Sequence, residues 1–134
     1  MATISNSKIN KKIKLGIIGL GYVGLPLALE FAKKRKVTGY DINTSRINEL
    51  NNGEDNTKEF SKYQIQKNSN VIFTSDLTDL KEVNFFIVTV PTPVDKKNKP
   101  DMSALMQACL SIGNILKVND FVVFESTVYP GATE

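Results

Sequence analysis

Residues 14–31 read Lys14-Leu-Gly-Ile-Ile-Gly-Leu-Gly-Tyr-Val-Gly-Leu-Pro-Leu-Ala-Leu-Glu-Phe31, or KLGIIGLGYVGLPLALEF, and the succession of residue types in them decides the fold. An apolar, strand-like run from Ile13 to Ile18 is interrupted only by Lys14 and Gly16. Glycines follow at Gly19, Gly21 and Gly24, in the spacing G-x-G-x-x-G. A helical pattern comes next, with Leu27/Phe31 and Ala28/Ala32 repeating at i,i+4. Strand, glycine turn and helix in that order are the context in which such glycines bind a dinucleotide.

Each glycine has a distinct task in that reading. Gly19 turns the chain sharply off the strand, Gly21 lets a pyrophosphate approach the backbone, and Gly24 lets helix and strand pack closely. The pyrophosphate then lies over the free N–H groups at the positive end of the helix. Pro26 is compatible, because an N–H in the first helical turn has no partner to lose. A glycine-rich turn in some other α/β protein would look the same, so the rest of the chain has to choose.

The bulk properties narrow the choice. The chain has 134 residues, 41% of them hydrophobic, enough for one domain with a core. No apolar run is long enough to span a bilayer, and no signal-peptide core is present, so a cytoplasmic protein is expected. The single cysteine, Cys109, excludes an internal disulfide. With no histidine, neither a zinc site nor a Ser/His/Asp triad is expected, and no metal ligands are assigned. The net charge of +3 is owed to Lys8, Lys11, Lys12 and Lys14; the remainder carries 13 basic and 14 acidic residues. A basic leader on a near-neutral body does not describe a nucleic-acid binder.

Residues 1–11 (MATISNSKINK) are polar and aperiodic and read as a mobile tail, with a nucleotide-binding domain over 12–134. Strands are expected near 13–18, 37–40, 71–74, 84–90 and 121–124, and helices near 22–35 and 43–50 and from Asp101 onwards. The run Lys33-Lys34-Arg35-Lys36 suits a helix C-terminus. Residues 51–70 are polar and read as a loop with a short helix. In the helix after Asp101, its expected cap, Met102, Leu105, Met106, Cys109, Ile112, Gly113 and Leu116 are spaced as a buried stripe, which makes Cys109 a core thiol. Alternating strands and helices with right-handed crossovers give an α/β fold: a Rossmann-like, doubly wound parallel sheet with helices on both faces.

Three polar clusters then fall at strand carboxyl ends: the glycine turn, Thr92 between Pro91 and Pro93, and Ser126-Thr127. Asp41 ends the second strand, 17 positions after Gly24. A carboxylate there can accept both ribose hydroxyls and repels a 2′-phosphate, which favours NAD over NADP. The competing role for Asp41 is an N-cap of the next helix. Arg46 is expected to point from that helix towards the adenine end, unless it is simply solvated.

Taken together, Gly19-Leu-Gly-Tyr-Val-Gly24, Leu25-Pro-Leu-Ala28, Asp41-Ile-Asn43 with Arg46-Ile47, Val90-Pro-Thr-Pro93 and Glu125-Ser-Thr-Val-Tyr-Pro-Gly-Ala-Thr-Glu134 resemble the N-terminal NAD-binding domain of the UDP-glucose/GDP-mannose dehydrogenase family. The resemblance runs from about Lys12 to the end, and is greatest to the branch acting on UDP-N-acetylhexosamines in capsular and other surface polysaccharide synthesis. It implies oxidation of the C6 alcohol of a UDP-sugar to a carboxylate by two NAD⁺ and one water, in a homodimer. It also implies cofactor contacts from Gly19, Gly21, Tyr22, Val23 and Gly24 (pyrophosphate), Asp41 and Arg46 (adenosine) and Ser126 (nicotinamide side), with Thr92 near the cofactor. Thr127 matches the family threonine beside the reacting centre, where it positions water and substrate as a catalytic residue. The resemblance also implies that the family's catalytic glutamate, lysine and cysteine lie beyond the part matched by these 134 residues, which are therefore expected to bind NAD without turning over a sugar nucleotide. Two other readings share the glycines and Asp41: a non-catalytic NAD-sensing module, and a Rossmann dehydrogenase for another substrate such as a hydroxy acid.

Overall fold

A computed structural model of the chain describes residues 12–126. Five parallel strands, β1 (Leu15–Ile18), β2 (Val37–Tyr40), β3 (Val71–Thr74), β4 (Phe85–Val88) and β5 (Phe121–Phe124), form one sheet in the order β3-β2-β1-β4-β5. Between them lie α1 (Gly24–Ala32), α2 (Thr44–Asn51), α3 (Lys62–Gln66), a 3-10 turn at Leu77–Leu80, and α4 (Ser103–Gly113). The chain first winds outward through β2 and β3, then returns across β1 to β4 and β5. That reversal leaves a crevice beyond the carboxyl ends of β1 and β4, the place where open α/β sheets hold ligands.

The sheet is central because its middle strand is apolar on both faces. Leu15 and Ile17 point to one side, into a core with Leu25, Ala28, Leu29 and Ala32 of α1 and Leu50 of α2. Ile18 points to the other, into a core with Phe86, Val88, Leu80, Val83 and, from α4, Leu105, Ala108 and Ile112. Helices therefore cover both faces. Phe86, Ile17 and Leu25 are fully buried, each worth about 1.5–3 kcal/mol relative to exposure. In register, Leu15 and Ile18 lie opposite Val37 and Tyr40 on β2 and opposite Phe85 and Val88 on β4.

The elements are shorter than the sequence suggests, for local reasons. Strand β4 starts one residue late because the Asn84 side chain accepts the Lys14 N–H (2.9 Å) and donates to the Lys12 carbonyl (3.1 Å). It ends before Val90, where the prolines take over. Helix α1 stops at Ala32, so the basic run lies at and beyond its C-cap, not inside its last turn. The α2 cap is Asn43, whose Oδ1 accepts the Ser45 and Arg46 N–H groups. Met102 occupies the N-cap of α4, and Asp101 one residue earlier accepts the Ser103 N–H at 3.0 Å.

The buried stripe of α4 differs from the expected one. Leu105, Ala108, Ser111 and Ile112 face the sheet, while Met106, Cys109, Gly113 and Leu116 are exposed. Apolar residues surround more than half of this helix, so spacing alone does not select a face. The small side chains of Ala108 and Ser111 let the helix approach the sheet, and Cys109 is turned outward. Cys109 is thus not a core thiol. Among the described residues, no helix is long and apolar enough to cross a membrane.

Candidate functional site

The glycine turn separates what the fold requires from what it leaves open. Gly19 has φ +94°, a backbone that side chains resist, and its N–H donates to the Tyr40 carbonyl at 2.8 Å. At Gly24 a Cβ would collide with the Gly19 carbonyl and lie 2.5 Å from Thr89 Oγ1, so α1 can meet β1 this closely only with glycine there. Gly21 is different: no atom lies within 4 Å of where its Cβ would be. Nothing in the described protein demands glycine at that position. It lines the crevice, and its bare backbone is open to a ligand. Helix α1 begins three residues on, at Gly24, with no side-chain cap and no acid in its first turn, as does α4 away from the turn, whereas Asn43 and Ser61 cap α2 and α3. Its positive end is left for an anion.

Asp41 joins two strand ends. Its Oδ2 accepts the Leu20 N–H and its Oδ1 the Asn43 N–H, both at 2.9 Å. Since Asn43 itself caps α2, Asp41 is not the cap, and the competing role falls away. Each carboxylate oxygen keeps acceptor capacity on the crevice side. Burial, with Asp41 and Asp76 nearby, raises the Tyr40 phenol above its ordinary value, so this wall adds no second anion at neutral pH.

Arg46 is buried, not solvated. Its Nε donates to the Leu20 carbonyl (2.9 Å), one terminal nitrogen to Asn56 Oδ1 (2.8 Å) and the other to Asp55 Oδ1 (2.8 Å). The guanidinium lines the same cleft as Asp41, and it brackets the glycine turn to the loop after α2. The sequence reading has a loop here, as found, but gives it no part in the cleft. Asp55 and the cleft-lining Asn56 and Thr57 lie in the polar stretch 51–70, and the available signal was its turn-formers, Asn51-Asn52-Gly53 and Asp55-Asn56. The Asp55 carboxylate, its side chain fully buried, also accepts the Thr57 N–H and hydroxyl and the N–H groups of Glu59 and Phe60. Burial pushes its pKa up, but these donors and Arg46 outweigh it and hold the acid below the usual carboxylate range.

The other two clusters meet the glycine turn at the second half of the crevice. Thr92, Pro93, Glu125 and Ser126 line it together with Gly21, Tyr22 and Val23. Ser126 Oγ donates to the Val90 carbonyl at 2.7 Å, fastening the end of β5 to the proline loop. Thr89, also missed from the sequence, donates its buried hydroxyl to the Gly19 carbonyl (2.7 Å) and the Ile18 carbonyl (3.1 Å). The two halves of the crevice, about 400 and 530 Å³, share Gly21, Tyr22, Thr89, Val90 and Pro91. Thr127 and the tail 1–11 lie outside the described residues. An elongated groove results, with an acid at one end, an uncapped helix in the middle and hydroxyls at the other. A dinucleotide fits that order of groups.

Comparison with known proteins agrees with this geometry. Residues 13–134 match the model of the UDP-glucose/GDP-mannose dehydrogenase family, NAD binding domain. The UDP-N-acetyl-D-glucosamine 6-dehydrogenase of Pseudomonas aeruginosa is 54% identical over 124 residues, which are 92% of this chain and 29% of that protein. The UDP-N-acetyl-D-mannosamine dehydrogenase of Yersinia pestis is 35% identical over 126 residues, 90% of this chain and 29% of that one. A solved UDP-D-ManNAc dehydrogenase from Pyrococcus horikoshii superposes with a TM-score of 0.82 at 32% identity, covering 90% of this chain and 30% of its own. The chain thus spans under a third of the length of these relatives. By sequence and by fold, it belongs to the UDP-glucose/GDP-mannose dehydrogenase family, as that family's NAD-binding domain.

Proposed function

We propose that this chain is the cofactor-holding part of an NAD-dependent dehydrogenase that oxidises the C6 alcohol of a UDP-N-acetylhexosamine to the carboxylate. The pyrophosphate lies on the backbone of Gly19 to Gly24, with Tyr22 and Val23 at its rim and the α1 N-terminus beneath. Asp41 accepts the adenosine ribose hydroxyls, and Arg46 builds the wall of that subsite. Thr92 and Ser126 border the nicotinamide side, and Thr127 positions water and substrate next to it. Bound NAD supplies the hydride acceptor; the protein supplies position and electrostatics. The observation that carries the reading is the bond between the Asp41 carboxylate and the glycine turn, which sets an anion at the ribose end beside an uncapped helix. The relatives at 54% and 35% identity, both named for UDP-N-acetylhexosamines, support the sugar class. Cytoplasmic location, a homodimeric enzyme and a role in surface polysaccharide synthesis belong to the same proposal.

Two experiments test it. Calorimetric titration of the chain with NAD⁺ and NADP⁺ should show NAD⁺ binding more tightly; equal affinities would remove the role given to Asp41. For the sugar, the chain replaces the matching domain of the P. aeruginosa relative, and NADH formation is followed with UDP-N-acetyl-D-glucosamine. A folded chimera that binds NAD⁺ but forms no NADH would count against the proposed reaction.

A further inference from the structure

Among the described residues lining the adenosine half of the crevice, Arg46 is the one cation. It is therefore the group that a 2′-phosphate would seek. Its guanidinium is already engaged on three sides, by the Leu20 carbonyl, Asn56 and Asp55. Two carboxylates share its charge: Asp55 at 2.8 Å, and Glu49 at 3.6 Å, whose buried Oε2 has no hydrogen bond of its own. Asp55 is also the hub of its loop, taking donors from Thr57, Glu59 and Phe60 while Asn56 and Thr57 form the cleft wall.

Resting on the NAD reading above, we infer that Asp55 is a positioning and specificity-determining residue: it commits Arg46 to the protein and holds the Asn56–Thr57 wall, so that NADP⁺ is refused by Asp41 and Asp55 together. Refusal by Asp41 alone would leave a free arginine next to the 2′-position. With Asp55 ionised against it, the arginine is a structural bracket with little attraction left for a phosphate.

The test is calorimetry of the 134-residue chain and its Asp55→Asn variant with NAD⁺ and NADP⁺, with hydrogen exchange read over residues 55–60. Asparagine keeps the shape and one acceptor but removes the charge. The ratio of NAD⁺ to NADP⁺ affinity is expected to narrow about tenfold, the order of one partly screened charge. Protection over 55–60 should fall, and the narrowing should shrink in high salt. A purely structural role would weaken both dinucleotides equally, and an unchanged ratio overturns the inference. Should Asp55→Asn fail to fold, Glu49→Gln removes the second carboxylate from the same guanidinium without touching the loop. A smaller narrowing, about twofold, is then expected, and no change again overturns it. If the unaltered chain binds neither dinucleotide, the NAD reading itself fails and this inference falls with it; tight NAD⁺ binding with an unmoved ratio sinks the inference alone.

Discussion

Asp41 Oδ2 accepts the Leu20 N–H at 2.9 Å, so the acid ending β2 and the turn ending β1 form one hydrogen-bonded unit. Replacing Asp41 therefore changes both the proposed ligand contact and a joint. Asp41→Asn loses the charge and keeps one acceptor, so either the Leu20 or the Asn43 N–H loses its partner; NAD⁺ affinity should fall about tenfold, with a stability loss of about 1 kcal/mol, smaller than for Asp41→Ala. Asp41→Ala leaves the Leu20 and Asn43 N–H groups without this partner and should cost about 1–3 kcal/mol in urea unfolding as well. Calorimetry paired with denaturation separates the two. An Asn variant that binds as tightly as the parent would show that the charge is not used.

Gly21 and Gly24 should answer oppositely to the same substitution. Gly24→Ala drives a Cβ into the Gly19 carbonyl and should destabilise by more than about 4 kcal/mol, enough to prevent folding. Gly21→Ala meets open space and should change stability by less than about 1 kcal/mol. Its NAD⁺ affinity should nevertheless drop severalfold or more, because the new methyl fills the approach to the backbone. Circular dichroism melts and NAD⁺ titration decide; normal binding by Gly21→Ala would move the pyrophosphate elsewhere.

Asp55 predicts an acid-side instability. Its folded pKa is lowered, so the stabilisation it contributes is complete above the unfolded value of about 3.9 and is lost as pH falls through the lower folded one. Urea midpoints measured from about pH 5 down to pH 2 should therefore decline, and Asp55→Asn should flatten part of that slope. Asp76 and Asp101, lowered by hydrogen bonds from Thr78 and Ser103, keep the remainder sloping. An identical slope in the variant would mean that Asp55 is not the acid responsible. Breaking the pair outright is harsher: Asp55→Ala leaves Arg46 with Glu49, at 3.6 Å, as its carboxylate partner and takes the acceptor from the Thr57, Glu59 and Phe60 donors, which should cost about 3 kcal/mol.

Cys109 gives a direct check on which face α4 buries. As an exposed thiol it should react with Ellman's reagent in the native state, at a rate close to that in urea. Slow native labelling that is released by denaturant would return Cys109 to the core.

What the sequence made legible was whatever is written locally. Gly19, Gly21 and Gly24 announce a turn by chemistry, the apolar run of β4 announces a strand buried on both faces, and Asp41 ends its strand at a recognisable distance from the glycines. Arg46 was legible as a residue near the cleft, which it lines, but its partners were not. Asp55 and Asn56 lie 9 and 10 positions on in an aperiodic loop, and only the folded chain brings them to the guanidinium. The buried face of α4 was legible in part: Leu105 and Ile112 are buried as expected, while Met106, Cys109 and Leu116, equally apolar, face outward. The choice between them is made by the sheet, which accepts the side carrying Ala108 and Ser111.

The Thr89 hydroxyl, shared between the carbonyls of Ile18 and Gly19, locks the tips of the two strands that flank the crevice. A hinge at that point would have to break a buried bond before opening. The floor of the groove is accordingly set in advance, and an arriving ligand has only the rim to order: the exposed Tyr22 and Val23 and the proline loop. Preorganisation of this kind shortens the entropic penalty of association, so the NAD⁺ on-rate should be governed by diffusion and rim motion, with no slow isomerisation of the sheet.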